Sequence, residues 1–207
     1  GKTAYTLIVN NISEHPEKIE IPQIDEDEFS KVFYAVTYDN PGILCFGMTS
    51  SVKADGNKIF YEPEYSANKE ECDKKTNELN TAVSEFLKTV PENSSDYEKE
   101  LLTHDYICDK CIYVYNEGES LKGSSYDAII NGEAVCEGYA RAAKLFLDKL
   151  SVINYLICGD ATNSDGKTES HMWNIVNFDG KNYHLDLTWD DYDNDSAAVS
   201  HSYFNLS

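Results

Sequence analysis

Of the six cysteines in this 207-residue sequence, Cys136 stands where a thiol can become a nucleophile. Apolar spacing turns helical there and continues through Ala140, Ala143, Leu147 and Leu150, so Cys136 opens a helix. A thiol attacks as thiolate, and the free N–H groups and partial positive charge of a helix N-terminus favour that form. Cys45, Cys72, Cys108, Cys111 and Cys158 fall in strands, helix interiors or unassigned segments, where a cysteine reads as a small buried hydrophobe. Gly132 and Gly138 flank Cys136. They either let the backbone turn sharply and a substrate come close, or are plain turn and packing glycines.

A nucleophile needs a base, and the base needs a group to orient it. Asp179-Gly180 between two β-rich runs is a two-residue hairpin signal. Pairing Phe178 with Lys181 then sets Trp173 opposite Asp186 and His171 opposite Thr188. His171 and Asp186 become same-face diagonal neighbours about 7–8 Å apart at their backbones, within reach of an imidazole–carboxylate hydrogen bond. A one-residue bulge would put Asp186 on the other face. His184 shares this parity but lies further from the strand end where a cleft would open, and reads as structural. Cys136, His171 and Asp186 together fit the nucleophile–base–orienter logic of thiol enzymes.

Cys108 and Cys111 form a CxxC at the end of a helix, with His104 one turn earlier on the same face. A metal or redox site there competes with two small apolar side chains or an incidental disulfide. Structural zinc wants four ligands, and no second CxxC or HxxxH is present. A thiol–disulfide exchanger wants its cysteine at a helix start after a strand, and Cys108 comes late in a helix.

The elements carrying these residues are readable from pattern. A helix runs through Val83, Phe86, Leu87 and Val90 to Pro91, after a polar, charged stretch over 68–80. Ser95 with Glu98 makes a capping box for a second helix, whose inward face is expected to hold Leu101, Leu102, Tyr106 and Ile107. Gly118 to Ser125 reads as a loop. Tyr155 to Cys158, His171 to Phe178 and Tyr183 to Trp189 read as strands. Upstream, Tyr5 to Val9, Lys31 to Tyr38, Ile43 to Phe46 and Lys58 to Tyr61 look β-rich, with turns at Asn40-Pro41-Gly42 and Asp55-Gly56-Asn57. The part from Glu26 to Tyr38 is equally compatible with helix.

Composition narrows the function. Apolar residues at 41% and charged residues at 26% suit a folded chain long enough for one core plus an accessory region. A net charge of −20 with a single arginine, Arg141, excludes nucleic-acid binding, which rests on cations neutralising phosphates. No apolar run approaches the roughly 20 residues that span a bilayer. A leading Gly1 without Met is expected of a processed or engineered terminus, and the acidic surface suits a secreted protein.

The runs Gly132-Glu-Ala-Val-Cys136-Glu-Gly-Tyr-Ala-Arg-Ala, His171-Met-Trp-Asn174 and Phe178-Asp-Gly-Lys-Asn-Tyr-His-Leu-Asp186-Leu-Thr-Trp-Asp-Asp191 resemble the core of bacterial transglutaminase-like proteins. The likeness runs from about Ser94 to the end, taking in His104-Asp105-Tyr106 and the closing Tyr203-Phe204-Asn205-Leu206-Ser207. Cys108 and Cys111 depart from it, and the region before Asn68 matches loosely. The resemblance implies an α+β, papain-like core over 69–207, with its catalytic helix on an antiparallel sheet, after an N-terminal accessory region over 1–68. The chain stops where the family pattern usually continues, so a piece of a longer protein is expected.

The resemblance maps the catalytic triad to Cys136, His171 and Asp186. The reaction it implies is acyl transfer on protein or peptide amides, by hydrolysis as in a protease or deamidase, or by transamidation. The oxyanion is expected at the Cys136 backbone N–H plus one side-chain donor, Tyr126 or Trp173. No metal or organic cofactor is implied. The competing expectation is a non-enzymatic peptide-binding or cell-surface module that keeps the fold. A secreted or cell-surface bacterial location is expected before a cytoplasmic one.

Overall fold

The computed structural model describes residues 1–115, 122–162, 166–191 and 199–207, with 47–49 described by backbone alone. The chain divides into two compact units, Gly1–Asn77 and Glu78–Ser207, and the boundary falls inside one helix, α3 (Lys69–Leu87).

In the first unit, α1 (Lys2–Asn11) occupies the segment expected as a strand from Tyr5 to Val9. Its β-branched residues suggest a strand, but Ala4, Ile8 and Ile12 recur every four residues and are all buried, which is the helical period. The ambiguous segment also resolves as helix, α2 (Glu26–Asp39), capped by the Asp25 carboxylate accepting from the Glu28 N–H at 2.7 Å. Three antiparallel strands, β1 (Ile19–Ile21), β2 (Phe46–Asp55) and β3 (Lys58–Tyr65), lie in the order β1-β3-β2. Asp55 pairs with Lys58 across Gly56, whose φ of +62° suits the expected turn. Ile43 is not in a strand; its N–H closes the turn on the Asn40 carbonyl at 3.0 Å. A disulfide joins Cys45 to Cys72.

The helix α3 starts well before its apolar part. The Asn68 side chain caps the Glu71 N–H at 3.0 Å, and Lys69–Asp73 and Glu71–Lys75 pairs line its polar face. Cys72, Leu79, Val83 and Phe86 form its buried stripe.

The second unit holds α4 (Asp96–Lys110), β4 (Ile112–Tyr113), a π-helical turn (Asp127–Asn131), β5 (Glu133–Ala134) and α5 (Cys136–Lys149). These lead into β6 (Asn154–Thr162), β7 (Thr168–Phe178), β8 (Lys181–Leu185) and the short α6 (Leu187–Asp190). The fold class is α+β, as expected, with α5 against the antiparallel sheet β6-β7-β8. Ser95 and Glu98 form the expected capping box of α4.

The inward face of α4 differs from expectation. Ile107 is buried and Tyr106 packs its ring 4.7 Å from Phe86 and 5.5 Å from Phe146, but Leu102 is 37% exposed. Glu100, Thr103 and His104 point inwards instead. Each finds a partner there: Asn205 donates to Glu100 at 2.7 Å, Thr103 donates to the Lys99 carbonyl at 2.8 Å, and His104 lies 3.1 Å from Asp190. A polar residue goes inside when its hydrogen bonds go with it.

Candidate active site

Two backbone devices set the start of α5. Gly132 has φ +71°, and a Cβ there would lie 3.0 Å from the Lys110 carbonyl. A Cβ on Gly138 would fall 2.6 Å from the Ala134 Cβ and 3.0 Å from the Lys122 carbonyl, so the strand leading into Cys136 and the 122–124 segment press directly on the first turn. Tight chain packing explains both glycines. Parallel pairing of β4 with β5 sets Tyr113 beside Ala134, two residues before Cys136. The helix then buries Tyr139, Ala142, Ala143, Phe146 and Leu147. Cys136 itself is half-buried, and its N–H is among those an α-helix leaves without an internal partner.

The hairpin has the expected register. Phe178 pairs with Lys181 and Asn174 with Leu185. The pairing stops one residue before Asp186, so the strand expected from Tyr183 to Trp189 ends early. Asp186 caps α6, with its Oδ1 accepting from the Trp189 N–H at 3.2 Å. The other carboxylate oxygen, Oδ2, lies 2.7 Å from His171 Nε2. One carboxylate thus ends the strand, starts the helix and holds the imidazole. Buried Asn174 ties β7 to α5 by donating to the Ala140 carbonyl at 3.0 Å, and so fixes the hairpin against the cysteine's helix.

His171 is buried, and the Cys136 thiol acts on the same ring. With Nε2 on Asp186, Nδ1 is the nitrogen left to the sulfur. Burial alone would push the imidazole pKa down; hydrogen bonds and charge from Asp186 and Cys136 outweigh it and hold the group up at about 9. The only two tryptophans of the chain, Trp173 and Trp189, stack on His171 at 5.9 and 5.0 Å with interplanar angles of 18°. Indole faces at that distance also favour a cationic ring.

His171 and Trp189 line two cavities. One, of about 310 Å³, is walled by Trp173, Trp189, His184 and Leu206. The other, of about 230 Å³, is walled by Tyr113, Tyr115, Glu169 and Asp191. Asp191 accepts from the Tyr139 hydroxyl, and burial lifts its carboxyl to about 6.

Both expected side-chain donors for an oxyanion have other partners. The Trp173 indole N–H donates to His184 Nδ1 at 2.9 Å, and the Tyr126 hydroxyl donates to Glu78 at 2.5 Å. His184 is exposed and serves Trp173. Cys108 and Cys111 are buried and not joined to each other. Burial pushes the Cys111 thiol up to about 12 and Cys108 higher still, which opposes thiol–disulfide exchange.

A polar belt ties down the far side of the site. Asp190 accepts from the Ser200 hydroxyl at 3.1 Å and the Tyr203 N–H at 2.9 Å while facing His104. His201 reaches Asp105 at 2.7 Å, and Asp105 also lies 3.0 Å from His104 Nδ1. The Asp186 N–H donates to the Tyr203 carbonyl at 3.1 Å, and His184 and Leu206 bridge by two backbone hydrogen bonds.

No protein-family model matches the chain, and no curated protein matches it either. Among solved structures, the chain is similar to a crystal structure of a TGase, with 15% identity and a TM-score of 0.48 over 90% of this chain and 54% of that one. It is also similar to a proposed cysteine protease from Cytophaga hutchinsonii, with 12% identity and a TM-score of 0.40 over 69% of this chain and 62% of that one. The chain therefore spans about half the length of the first and under two thirds of the second.

Sequence reading singled out Cys136, His171 and Asp186, and the structure brings the three together. It missed Trp189 as a stacking partner of His171, and it missed Tyr113. The signal for Trp189 was present, since it follows Asp186 by three residues, one helical turn. Tyr113 had none, because its place beside Ala134, just before α5, depends on a two-residue parallel pairing that no local pattern announces.

Proposed function

We propose that the second unit is a thiol-dependent acyl transferase acting on protein or peptide amides, with Cys136 as nucleophile, His171 as acid and base, and Asp186 as the group that orients His171. The observation carrying this reading is one buried imidazole held by Asp186 on Nε2 and acted on by the Cys136 thiol at the first residue of α5. With its pKa near 9, His171 holds a proton at neutral pH, and in this reading that imidazolium is the partner of the attacking Cys136 thiolate. The thiolate sulfur attacks the amide carbonyl carbon, and the carbonyl electron pair moves to oxygen. As the tetrahedral intermediate collapses, His171 gives its proton to the leaving amine and a thioester remains. Water or a second amine then takes the acyl group, with His171 accepting the proton of the attacking group. The first case is a protease or deamidase and the second a transglutaminase. An extracytoplasmic location accompanies this reading, supported by the Cys45–Cys72 disulfide, since such bonds persist in oxidising compartments.

Iodoacetamide labelling across pH, read by mass spectrometry on the native protein and on His171→Ala, tests the site. Cys136 should be alkylated ahead of exposed Cys158 at pH 6, and His171→Ala should remove that advantage. If Cys158 reacts first in the native protein, the catalytic reading fails and a peptide-binding module replaces it.

A further inference from the structure

Attack on a carbonyl needs hydrogen-bond donors aimed where negative charge develops on its oxygen. The Cys136 N–H is one donor at the site. The expected side-chain donors are engaged elsewhere, Trp173 with His184 and Tyr126 with Glu78. We propose that Tyr113 is the second donor, its hydroxyl hydrogen-bonding the oxyanion formed when Cys136 attacks.

Three observations converge on this hydroxyl. Tyr113 is fixed by backbone pairing to Ala134, with the Ile112 N–H on the Gly132 carbonyl at 2.9 Å and the Val114 N–H on the Ala134 carbonyl at 3.0 Å. The position of its backbone relative to the start of α5 is therefore set by main-chain hydrogen bonds. Its side chain walls the 230 Å³ cavity together with His171, and its ring lies 6.4 Å from Tyr139, one turn along α5 from Cys136. The residue is half-buried, and among the described residues its hydroxyl makes no hydrogen bond. Burial raises the Tyr113 pKa, and the negative charges of Cys136 and Glu169 raise it further, so the group keeps its proton and remains a donor.

The inference rests on the acyl-transfer reading, and its test separates the two. The probe is p-nitrophenyl acetate. The Cys136 sulfur bonds to the acetyl carbon while the carbonyl pair moves to oxygen, and Tyr113 hydrogen-bonds that oxygen without losing its proton. Collapse restores the carbonyl and expels p-nitrophenolate, leaving acetyl-Cys136 with atoms and charge balanced. Alkylation by iodoacetamide occurs at a saturated carbon and forms no oxyanion, so it reports the thiolate alone.

Tyr113→Phe should slow the p-nitrophenolate burst about 100- to 1000-fold while leaving Cys136 alkylation within about twofold of the native rate. Equal losses in both reactions would make Tyr113 a support for the thiolate and overturn the inference. So would a native burst rate in Tyr113→Phe when Cys136→Ala abolishes the burst, which would leave the acyl-transfer reading standing. A native protein giving no Cys136-dependent burst overturns both.

Discussion

Replacing Asp186 by asparagine isolates the charge that holds His171 protonated. The substitution keeps the size of the side chain and an oxygen for the Trp189 N–H, so the α6 cap survives. The His171 pKa near 9, against an ordinary 6.5, corresponds to roughly 3 kcal/mol in favour of the imidazolium. Burial acts in the opposite direction, so removing the carboxylate should carry the ring past its ordinary value. Cys136 contributes to the same shift, and both arms should therefore carry Cys136→Ala. His171 is then titrated by NMR of the imidazole C–H signals, assigned by their loss in His171→Gln. With Asp186 in place His171 should titrate above 6.5, and with Asp186→Asn below it. Linkage gives a second reading with a fixed sign. A raised imidazole contributes stability that is complete below about pH 6.5 and lost as pH rises through about 9. The stability gap between the two arms should be widest between about pH 5 and 6.5, and should close above 9. If His171 titrates at the same pH in both arms, Asp186 does not hold the charge and the orienter role fails.

Three further outcomes follow from the packing. Burial lifts the Glu100 carboxyl to about 7, so the folded state prefers it protonated and gives up stability as pH rises from about 4.5 to 7. Glu100→Gln, which keeps an acceptor for Asn205, should therefore stabilise the protein at pH 8 by up to about 3 kcal/mol and change little at pH 4.5; equal denaturation midpoints at pH 8 would contradict this. Gly138→Ala should cost about 1–3 kcal/mol, because the added methyl meets the Ala134 Cβ at 2.6 Å, and an unchanged urea midpoint would show that the 122–124 segment yields. Thiol titration of the unfolded, unreduced protein should count four thiols, and six after reduction; breaking the Cys45–Cys72 link across 27 residues should destabilise the first unit by about 3 kcal/mol.

The hairpin was legible because its signals are local. Asp179-Gly180 sets a turn, the turn sets the register, and the register brings His171 and Asp186 to one face. The start of α5 was legible from apolar spacing for the same reason. What sequence could not supply came from contacts distant along the chain. The buried polar face of α4 depends on Asn205 and Asp190, which are 105 and 86 residues away from their partners. Read on its own, α4 offered Leu102 as the better inward residue. The helix α1 was misread for a different reason, because residue preference was weighed ahead of a four-residue period that the core obeys.

Asp190 holds the two sides of one connection. On one side it ends α6, and on the other it takes the Ser200 hydroxyl and the Tyr203 N–H. Because the anchor points are clamped to each other, the length of chain between 191 and 199 is decoupled from the geometry of His171 and Asp186. Loop closure grows slowly with length, by about 0.6 kcal/mol for each doubling, so residues added between these anchors should leave the triad's geometry in place. Inserting six Gly/Ser residues there should leave the Cys136 alkylation rate unchanged, and a lost rate would mean that the clamp transmits strain. Asp190 thus works as a clasp: it keeps His171 and Asp186 in register whatever length of chain joins its two sides.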